Sequence, residues 1–316
     1  MRVYVGVSVE DTKVVAILFD VYGKKLNMTD FERRPGVPLE AVEDDIVGMI
    51  AKLVESEIFE LQTVGVGVDE YDFSGIAVEV TVGNAFENTP LAEKIKKRFG
   101  CGVVINSNVN CSVYGAYKYF DTLDKNVIGI FAGDHVGGAL IINGELYMGK
   151  YGASELGHIT LVPDGAACKC GNYGCLEAYA SKDAIQKYIK QQCRGGRTSI
   201  VGESASRNRP MMMKAIYNAT QRGDEIAIEA VNRAFKFIAL TYSNLTNLVR
   251  PDAVIFGGEL FDYFGPKYLE FINRYATQIG SQRYNSNVKV LISELGNISA
   301  VYGAYQFALH ADIGCI

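Results

Sequence analysis

Two strand-loop-strand units constrain the fold of this chain most strongly. Residues 2–8 and 13–20 alternate or run apolar as strands do, and residues 126–132 and 138–147 repeat this arrangement. Adding 123 to the residue number superimposes four pairs: Gly6 on Gly129, Asp11 on Asp134, Ala16 on Ala139 and Asp20 on Asn143. Four matches at one shift indicate a duplicated unit, although chance is the alternative. A duplication predicts two structurally related halves.

Helical and extended patterns alternate along the rest of the chain. Apolar residues at helical spacing predict helices at residues 39–57, 90–99, 108–120, 180–193, 210–221, 224–249, 265–279 and 299–311. Short apolar runs predict strands at residues 63–68, 102–106, 252–258 and 288–293. Strands that alternate with helices indicate an α/β protein.

Composition and charge exclude several classes of protein. The chain has 316 residues, of which 48% are hydrophobic, so it can bury a large core and form two domains. Its formal net charge is −5 and its Lys and Arg residues are scattered, so no nucleic-acid partner is expected. The N-terminal segment carries Glu10 and Asp11, unlike a signal peptide, and no apolar run is long enough to span a membrane. We therefore expect a cytoplasmic protein without a membrane partner.

The segment from residue 158 to 177, HITLVPDGAACKCGNYGCLE, concentrates metal-binding side chains. His158, Cys168, Cys170 and Cys175 offer one imidazole and three thiols, a set that Zn²⁺ takes in closed tetrahedral structural sites. A chance cluster of loop residues is the alternative, and a disulfide framework fits poorly because the cytosol keeps thiols reduced. The close spacing and the intervening glycines favour a structural zinc site.

Three segments resemble the ROK family, which comprises repressors, proteins of unassigned function and sugar kinases. They are ELGHITLVPDGAACKCGNYGCLEAYAS, RGDEIAIEAVNRAFKFIALTYSNLTNLVRPDAVIFGGEL and GNISAVYGAYQFA, and the similarity runs through nearly the whole chain. The resemblance implies an actin-like, ribonuclease-H-type α/β fold, in which sugar and nucleotide meet in a cleft between two domains. We expect a smaller domain of residues 1–120 and 300–316 and a larger domain of residues 121–299 that carries the zinc loop. The resemblance further implies a homo-oligomer, either a dimer or a tetramer.

The resemblance also implies which residues contact a sugar. The family's sugar-binding acid and histidine fall on Glu155 and His158, and its second acid falls on Glu177. A zinc ion would fix the loop and the imidazole, while the carboxylates would accept hydrogen bonds from sugar hydroxyl groups. Glu177 has a second explanation, because a carboxylate in the first turn of a helix interacts favourably with the helix dipole.

Many members of the family are ATP-dependent kinases of hexoses or N-acylhexosamines, and others repress genes through an added N-terminal helix-turn-helix. This chain begins at its first predicted strand, so we expect no such DNA-binding module. The sugar kinases are therefore the relevant comparison.

An amide occupies the position of the kinases' catalytic base. Family kinases carry an Asn-Asp-Ala-Asn-like segment whose aspartate takes the proton from the attacking sugar hydroxyl, and the matching stretch here is SNVN, residues 107–110. Asn108 stands at the aspartate's position. A neutral amide binds a hydroxyl but has no useful affinity for its proton, and general-base catalysis is worth ~10²–10⁴-fold in rate. Ser107 and Asn108 therefore remain candidate sugar-binding residues, while the base is substituted.

Both segments that resemble the family's phosphate-binding loops are altered. The first, Asp-x-Gly-Gly-Thr-Lys in the family, reads SVEDTK here, so Ser8 replaces the aspartate and Glu10 and Asp11 replace the glycines. The second, Gly-Thr-Gly-x-Gly-Gly-Gly, reads GDHVGGA, with Asp134 and His135 in place of small residues. Acids beside a triphosphate repel it, so ordinary binding of ATP and Mg²⁺ is not expected. The alternatives are that these acids bind Mg²⁺ or another hard cation, or that they are solvated turn residues without a partner.

Glycines at the family's nucleotide-binding positions are retained, namely Gly133, Gly137, Gly138, Gly257 and Gly258. Glycines let backbone N–H groups approach phosphate oxygens closely, although a strand that ends in two glycines is common in α/β proteins. A nucleotide pocket therefore stays among the alternatives.

These features together predict a ROK-type protein that keeps a zinc-ordered, sugar-binding half-site and has lost kinase activity. It would act as a non-catalytic or regulatory sugar-binding protein. One alternative is an ATP-dependent hexose or N-acylhexosamine kinase with altered residues or a displaced base. Another is a structural partner in an oligomer, which would bind no sugar.

Overall fold

The structure, a computed structural model, describes residues 1–33, 37–69, 90–121, 124–149, 153–202, 211–279 and 288–313. The chain forms two compact units. Unit 1 comprises Met1–Leu123, Leu146–Ala153 and Asn297–Ile316, and unit 2 comprises Asp124–Glu145 and Ser154–Gly296. The domain boundaries expected from the sequence stay a prediction.

Strands and helices alternate along the described residues. The strands are β1 (Arg2–Val9), β2 (Lys13–Asp20), β3 (Lys25–Glu32), β4 (Glu60–Val68), β5 (Gly102–Ser107), β6 (Val127–Ala132), β7 (Val136–Ile142), β8 (Glu145–Leu146), β9 (Ala253–Gly257) and β10 (Lys289–Ile292). The helices are α1 (Leu39–Leu53), α2 (Pro90–Phe99), α3 (Asn108–Tyr119), α4 (Glu177–Ala180), α5 (Lys182–Arg194), α6 (Met213–Gln221), α7 (Glu225–Val249), α8 (Glu259–Ile279) and α9 (Ser299–Asp312). The α/β class predicted from the sequence is confirmed.

The two sheets have the same strand order. The sheet of unit 1 runs β3-β2-β1-β4-β5, and the sheet of unit 2 runs β8-β7-β6-β9-β10. In the first, β1 pairs antiparallel with β2 and parallel with β4; in the second, β6 pairs antiparallel with β7 and parallel with β9. The duplicated strand unit that the sequence indicated therefore extends to five strands in each half.

The pairing register shows that a single shift of 123 does not hold through the whole unit. Gly6 pairs with Ile17, whereas Gly129 pairs with Ala139. The hairpin loop of unit 2 is one residue shorter than that of unit 1. Residues 133–135 separate the last paired strand residues in unit 2, whereas residues 10–13 separate those in unit 1. The predicted equivalence of Ala16 with Ala139 is therefore wrong by one residue.

Among the elements that differ from the predicted pattern, two do so for physical reasons that the structure shows. Strand β3 has no predicted counterpart, because its sequence KLNMTDFE is polar and it lies at the edge of the sheet beside β2 alone. Helix α8 begins at Glu259 rather than near residue 265, because the buried Leu260 and Phe261 extend its apolar face ahead of Pro266. The predicted start near residue 265 would place this proline in the first turn of the helix. Packing instead retains it inside the helix.

Each sheet is covered by helices of its own unit. In unit 1, α9 packs against β1, β4 and α3. In unit 2, α7 packs against α8, where the rings of Phe235 and Tyr268 stack with centroids 4.1 Å apart. Within the described ranges, no helix has the length and apolar character needed to cross a membrane.

Candidate zinc and sugar half-sites

The four side chains predicted to bind zinc converge in unit 2. The ligand atoms of His158, Cys168, Cys170 and Cys175 all lie within 4.8 Å of one another. Cys168 Sγ lies 3.6 Å from His158 Nδ1, and Cys170 Sγ lies 3.7 Å from Cys175 Sγ. A tetrahedral zinc ion, with bonds of about 2.3 Å to sulfur and about 2.0 Å to nitrogen, separates its ligand atoms by roughly 3.5–3.8 Å. Both distances fit such a site, and the Cys170–Cys175 Sγ separation of 3.7 Å is too long for a disulfide bond of about 2.05 Å.

Backbone hydrogen bonds hold together the loop that carries these ligands. An isolated β-bridge joins Thr160 to Cys175. The Cys168 N–H donates to the Asn172 carbonyl over 2.8 Å and closes the turn that contains Cys170. Burial raises the pKa of the Cys175 thiol to about 12, whereas the backbone N–H of Asn172 lowers the pKa of the exposed Cys170. The cluster thus has a buried side at Cys175 and a solvent side at Cys170.

Tyr179 of α4 anchors the loop to the core of unit 2. Its hydroxyl accepts a hydrogen bond from the Ala166 N–H over 2.8 Å. Its ring stacks on Phe237 of α7 with centroids 4.0 Å apart, and the Arg233 guanidinium lies 4.7 Å from its centroid. Stacking and cation–π contacts both restrict the ring. The hydroxyl is therefore a fixed acceptor for the loop.

Replacing Tyr179 with phenylalanine is expected to loosen the loop without disturbing the core. The ring stack remains, but the Ala166 N–H loses an acceptor worth about 0.5–1.5 kcal/mol. In the zinc-loaded protein, transfer of the metal to a chromogenic chelator should become about fivefold faster. Tyr188→Phe is the matched control, because the Tyr188 hydroxyl donates to Glu229 outside the loop. Equal transfer rates in both variants would show that other contacts hold the loop.

The acids that the resemblance assigns to a sugar differ in exposure. Glu155 is exposed and immediately precedes the 3-10 turn Leu156–His158, whereas Glu177 is 7% exposed. Glu177 Oε2 accepts the Val136 N–H over 3.2 Å and lies 3.6 Å from His135 Nδ1. Burial works to raise the pKa of Glu177, but the interactions with His135 and Val136 outweigh it and lower the pKa. The helix dipole alone therefore does not account for Glu177, whose carboxylate also holds the segment between β6 and β7.

Asp134 has a partner that sequence reasoning missed. Lys182, the first residue of α5, forms an ion pair with Asp134, and its Nζ lies 3.7 Å from Glu259 Oε2. The Lys182 N–H also donates to the Gly133 carbonyl over 2.8 Å. Burial and the charge of Glu259 raise the pKa of Asp262 to about 6. The expectation of a solvated acid without a partner is therefore wrong for Asp134. The charged group of Asp134, Glu259, Asp262 and Lys182 still contains more carboxylates than ammonium groups.

Close packing or backbone conformation explains some of the retained glycines. Gly133 lies in the loop between β6 and β7, and Gly137 and Gly138 lie within β7. A Cβ on Gly138 would come within 2.2 Å of a backbone oxygen of β6. Gly257 ends β9, and Gly258 after it has a φ of +86°, which favours glycine. The retention of Gly138 and Gly258 therefore does not require a nucleotide, and the nucleotide-binding role of all five glycines stays a prediction.

In unit 1, three hydrogen bonds hold the Asn108 side chain. Its Nδ2 donates to the Val9 carbonyl over 2.7 Å and to Asp69 Oδ1 over 2.9 Å, and its Oδ1 accepts from Ser8 Oγ over 3.0 Å. Asn108 is 8% exposed and Ser8 is 1% exposed. Sequence reasoning missed Asp69, although a polar residue directly after a buried parallel strand is a recognisable signal.

Ser107 and the acids of the first loop lie at strand ends of unit 1. Ser107 ends β5 and caps α3, because its Oγ accepts the Asn110 N–H over 3.2 Å. Glu10 and Asp11 lie in the exposed loop between β1 and β2. The Ser107 hydroxyl therefore has a capping role beside its predicted sugar contact.

Comparison with known proteins identifies the family of the chain. The ROK family model matches residues 4–311. The chain belongs to the ROK family. A glucokinase from Streptomyces coelicolor is 30% identical to this ROK protein over 99% of both chains. The DNA-binding transcriptional dual regulator NagC of Escherichia coli is 26% identical, over 99% of this chain and 76% of that protein.

Solved structures agree with this assignment. The crystal structure of a ROK family glucokinase from Streptomyces griseus, in complex with glucose and AMPPNP, matches with a TM-score of 0.77 and 29% identity. The match covers 97% of this chain and 99% of the glucokinase chain. The actin-like fold of ROK sugar kinases, expected from the sequence, is confirmed. Similar ROK proteins include a kinase and a transcriptional regulator, so family membership alone does not decide the activity.

Proposed function

We propose that this ROK protein binds a hexose or an N-acylhexosamine without phosphorylating it, and that it acts as a sugar-binding or regulatory protein. Asn108 carries the proposal. A neutral amide occupies the position of the kinase base, and its Nδ2 donates to Val9 and Asp69. An amide has no useful proton affinity, so this position supports loss of the chemical step.

The altered loops support loss of phosphate binding. Glu10 and Asp11 are exposed carboxylates where family kinases carry glycines. Like charges about 4 Å apart cost on the order of 1 kcal/mol in water and about 4 kcal/mol at the effective dielectric of a protein surface. Lys182 is paired with Asp134, so a hard cation at Asp134 would first have to displace Lys182. Weak or absent binding of ATP and Mg²⁺ follows from this proposal.

We propose Glu155, His158 and Glu177 as sugar-binding residues of unit 2, and we propose Ser107 and Asn108 of unit 1 as sugar-binding residues in their own right. The similarity to a ROK glucokinase in complex with glucose supports the assignment. A thiol of the cluster lies 3.6 Å from His158 Nδ1, so a structural zinc ion would take Nδ1 and leave Nε2 as a donor for a sugar hydroxyl. The expected homo-oligomer, the cytoplasmic location and the domain boundaries stay predictions.

A hexose kinase is the second candidate function. A glucokinase is 30% identical over 99% of both chains, and Asp69 places a carboxylate within hydrogen-bond distance of Asn108. A base displaced in this way would suit a kinase with altered residues. A structural partner in an oligomer is the third candidate, and it would bind no sugar.

Calorimetric titration with a sugar panel, with and without ATP·Mg²⁺, tests the proposal. The panel is glucose, N-acetylglucosamine and N-acetylmannosamine. We expect at least one sugar to bind and ATP·Mg²⁺ to bind weakly or not at all. Glu155→Gln should weaken sugar binding by roughly 1–3 kcal/mol, because it removes a charged acceptor and keeps the side-chain shape. Glu177 is a less direct target, since its carboxylate also holds Val136.

Three further variants serve as controls for this titration. Glu225→Gln makes the same change at an exposed position in α7 and should keep the parent affinity. Glu10→Gly and Asp11→Gly should leave sugar affinity nearly unchanged while improving nucleotide binding. A parent protein without sugar affinity, or an affinity unaffected by changes at both Glu155 and Glu177, would favour the structural role.

A further inference from the structure

The carboxylate of Asp69 and the amide of Asn108 form a matched pair in unit 1. Asn108 Nδ2 donates to Asp69 Oδ1 over 2.9 Å and to the Val9 carbonyl over 2.7 Å, while its Oδ1 accepts from Ser8 Oγ over 3.0 Å. A carbonyl and an ionised carboxylate are acceptors only, so these two partners determine which end of the amide carries the nitrogen.

An aspartate at position 108 would not fit these neighbours. An oxygen in place of Nδ2 would face the Val9 carbonyl and the Asp69 carboxylate, which now lie 2.7 and 2.9 Å away. Two carboxylates that share a site do not both ionise readily. An ionised acid at position 69 therefore favours an amide over an ionised aspartate at position 108. The negative charge that related kinases carry at position 108 therefore lies here on the neighbouring side chain of Asp69.

The strand register brings Asp69 to the edge of the sheet where ligands bind. Parallel β1 and β4 place Val9 opposite Val68, and parallel β4 and β5 place Val68 opposite Ser107. Ligands of open α/β sheets bind outside the carboxyl ends of such strands. Asp69 directly follows β4 at this edge and is half-buried. Partial burial strengthens any hydrogen bond that its carboxylate accepts.

We propose that Asp69 is a sugar-binding carboxylate. In ground-state binding it takes the place of the aspartate that related kinases carry at position 108. This inference rests on the proposed sugar-binding function. A carboxylate offers about four acceptor positions, so that of Asp69 can accept from Asn108 and from a ligand hydroxyl together, and hydrogen bonds to a charged acceptor are the stronger kind. Asp69 favours a ligand hydroxyl over an ether oxygen or a deoxy position, because only the hydroxyl can donate to it.

Two substitutions at Asp69 separate a sugar contact from mere support of Asn108. In Asp69→Asn the side-chain oxygen still accepts from Asn108, so the melting temperature should stay near that of the parent. Titration of the full chain with glucose and N-acetylglucosamine should nevertheless show affinity at least about tenfold lower, as in Asp69→Ala. Asp44→Asn, at an exposed acid paired with Lys94, is the matched control and should bind like the parent.

Deoxy analogues of the bound sugar identify the hydroxyl involved. The analogue that lacks the hydroxyl contacted by Asp69 should bind the parent about tenfold more weakly than the complete sugar does. The same analogue and the complete sugar should bind Asp69→Asn equally well, because the two changes remove one interaction.

The possible outcomes distinguish failure of this inference from failure of the proposed function. Parent-like affinity in Asp69→Asn, in a protein that does bind sugar, would overturn the inference alone and leave Asp69 as a support for Asn108. A parent that binds no sugar of the panel would overturn the proposed function and the inference with it. Turnover with ATP·Mg²⁺ that Asp69→Asn abolishes would make Asp69 a displaced base and would overturn both.

Discussion

Cys175→Ser is expected to lose bound zinc and to unfold the loop that precedes α4. The parent should hold one zinc ion per chain through His158, Cys168, Cys170 and Cys175, whose ligand atoms lie within 4.8 Å of one another. Structural zinc contributes about 10–16 kcal/mol in zinc-finger peptides, whose whole fold depends on the metal. Here the metal would order one loop of a larger unit, so we expect a smaller loss of ~3–5 kcal/mol, which would lower the melting temperature by roughly 6–20 °C. Elemental analysis and scanning calorimetry measure the two effects.

Cys193→Ser is the matched control for the zinc prediction. Cys193 lies in α5, outside the cluster, so its replacement should keep the zinc content and shift the melting temperature by less than about 2 °C. A strong chelator should lower the melting temperature of the parent to that of Cys175→Ser and leave the variant unchanged. A parent that purifies without zinc, and whose stability Cys175→Ser does not alter, would contradict the site.

Asn108→Asp is expected to destabilise unit 1 without creating a kinase. The substitution removes the donor to the buried Val9 carbonyl and sets a second carboxylate beside Asp69. We expect the free energy of unfolding to fall by about 3–5 kcal/mol, from the lost hydrogen bond and the like-charge contact. The phosphate loops remain altered, so turnover on glucose or N-acetylglucosamine should stay far below an ordinary enzymatic value of about 10 s⁻¹. Urea denaturation and a coupled kinase assay test both statements.

Asn27→Asp is the matched control, because it makes the same chemical change at an exposed position. Asn27 is exposed on β3, and its Oδ1 accepts the Met28 N–H over 2.8 Å, a contact that an aspartate can keep. Its stability should therefore stay near that of the parent. Turnover of about 10 s⁻¹ by the parent on any sugar of the panel would refute the non-catalytic proposal. A hundredfold gain in Asn108→Asp would show that only the base was missing.

Local sequence pattern predicted most of the elements and the convergence of the four candidate metal ligands. The candidate zinc ligands come from one short segment, and backbone hydrogen bonds within that segment help to bring them together. Helices and strands followed from apolar spacing in the same way. The failures occurred where packing overrode the pattern, as at Pro266, which lies inside α8, and in the polar edge strand β3.

The sequence by itself determined the chemical character of the candidate sites: a Cys₃His cluster, an amide where family kinases carry the base, and acids in the segments that match the family's phosphate loops. Only the tertiary structure decided which of these groups are neighbours. Asn108 meets Asp69 from 39 positions away and Ser8 from 100, because parallel strand register aligns the ends of β1, β4 and β5. Asp134 likewise meets Lys182 across separate elements. Such pairings depend on strand register and helix packing, which residue spacing within one segment does not encode.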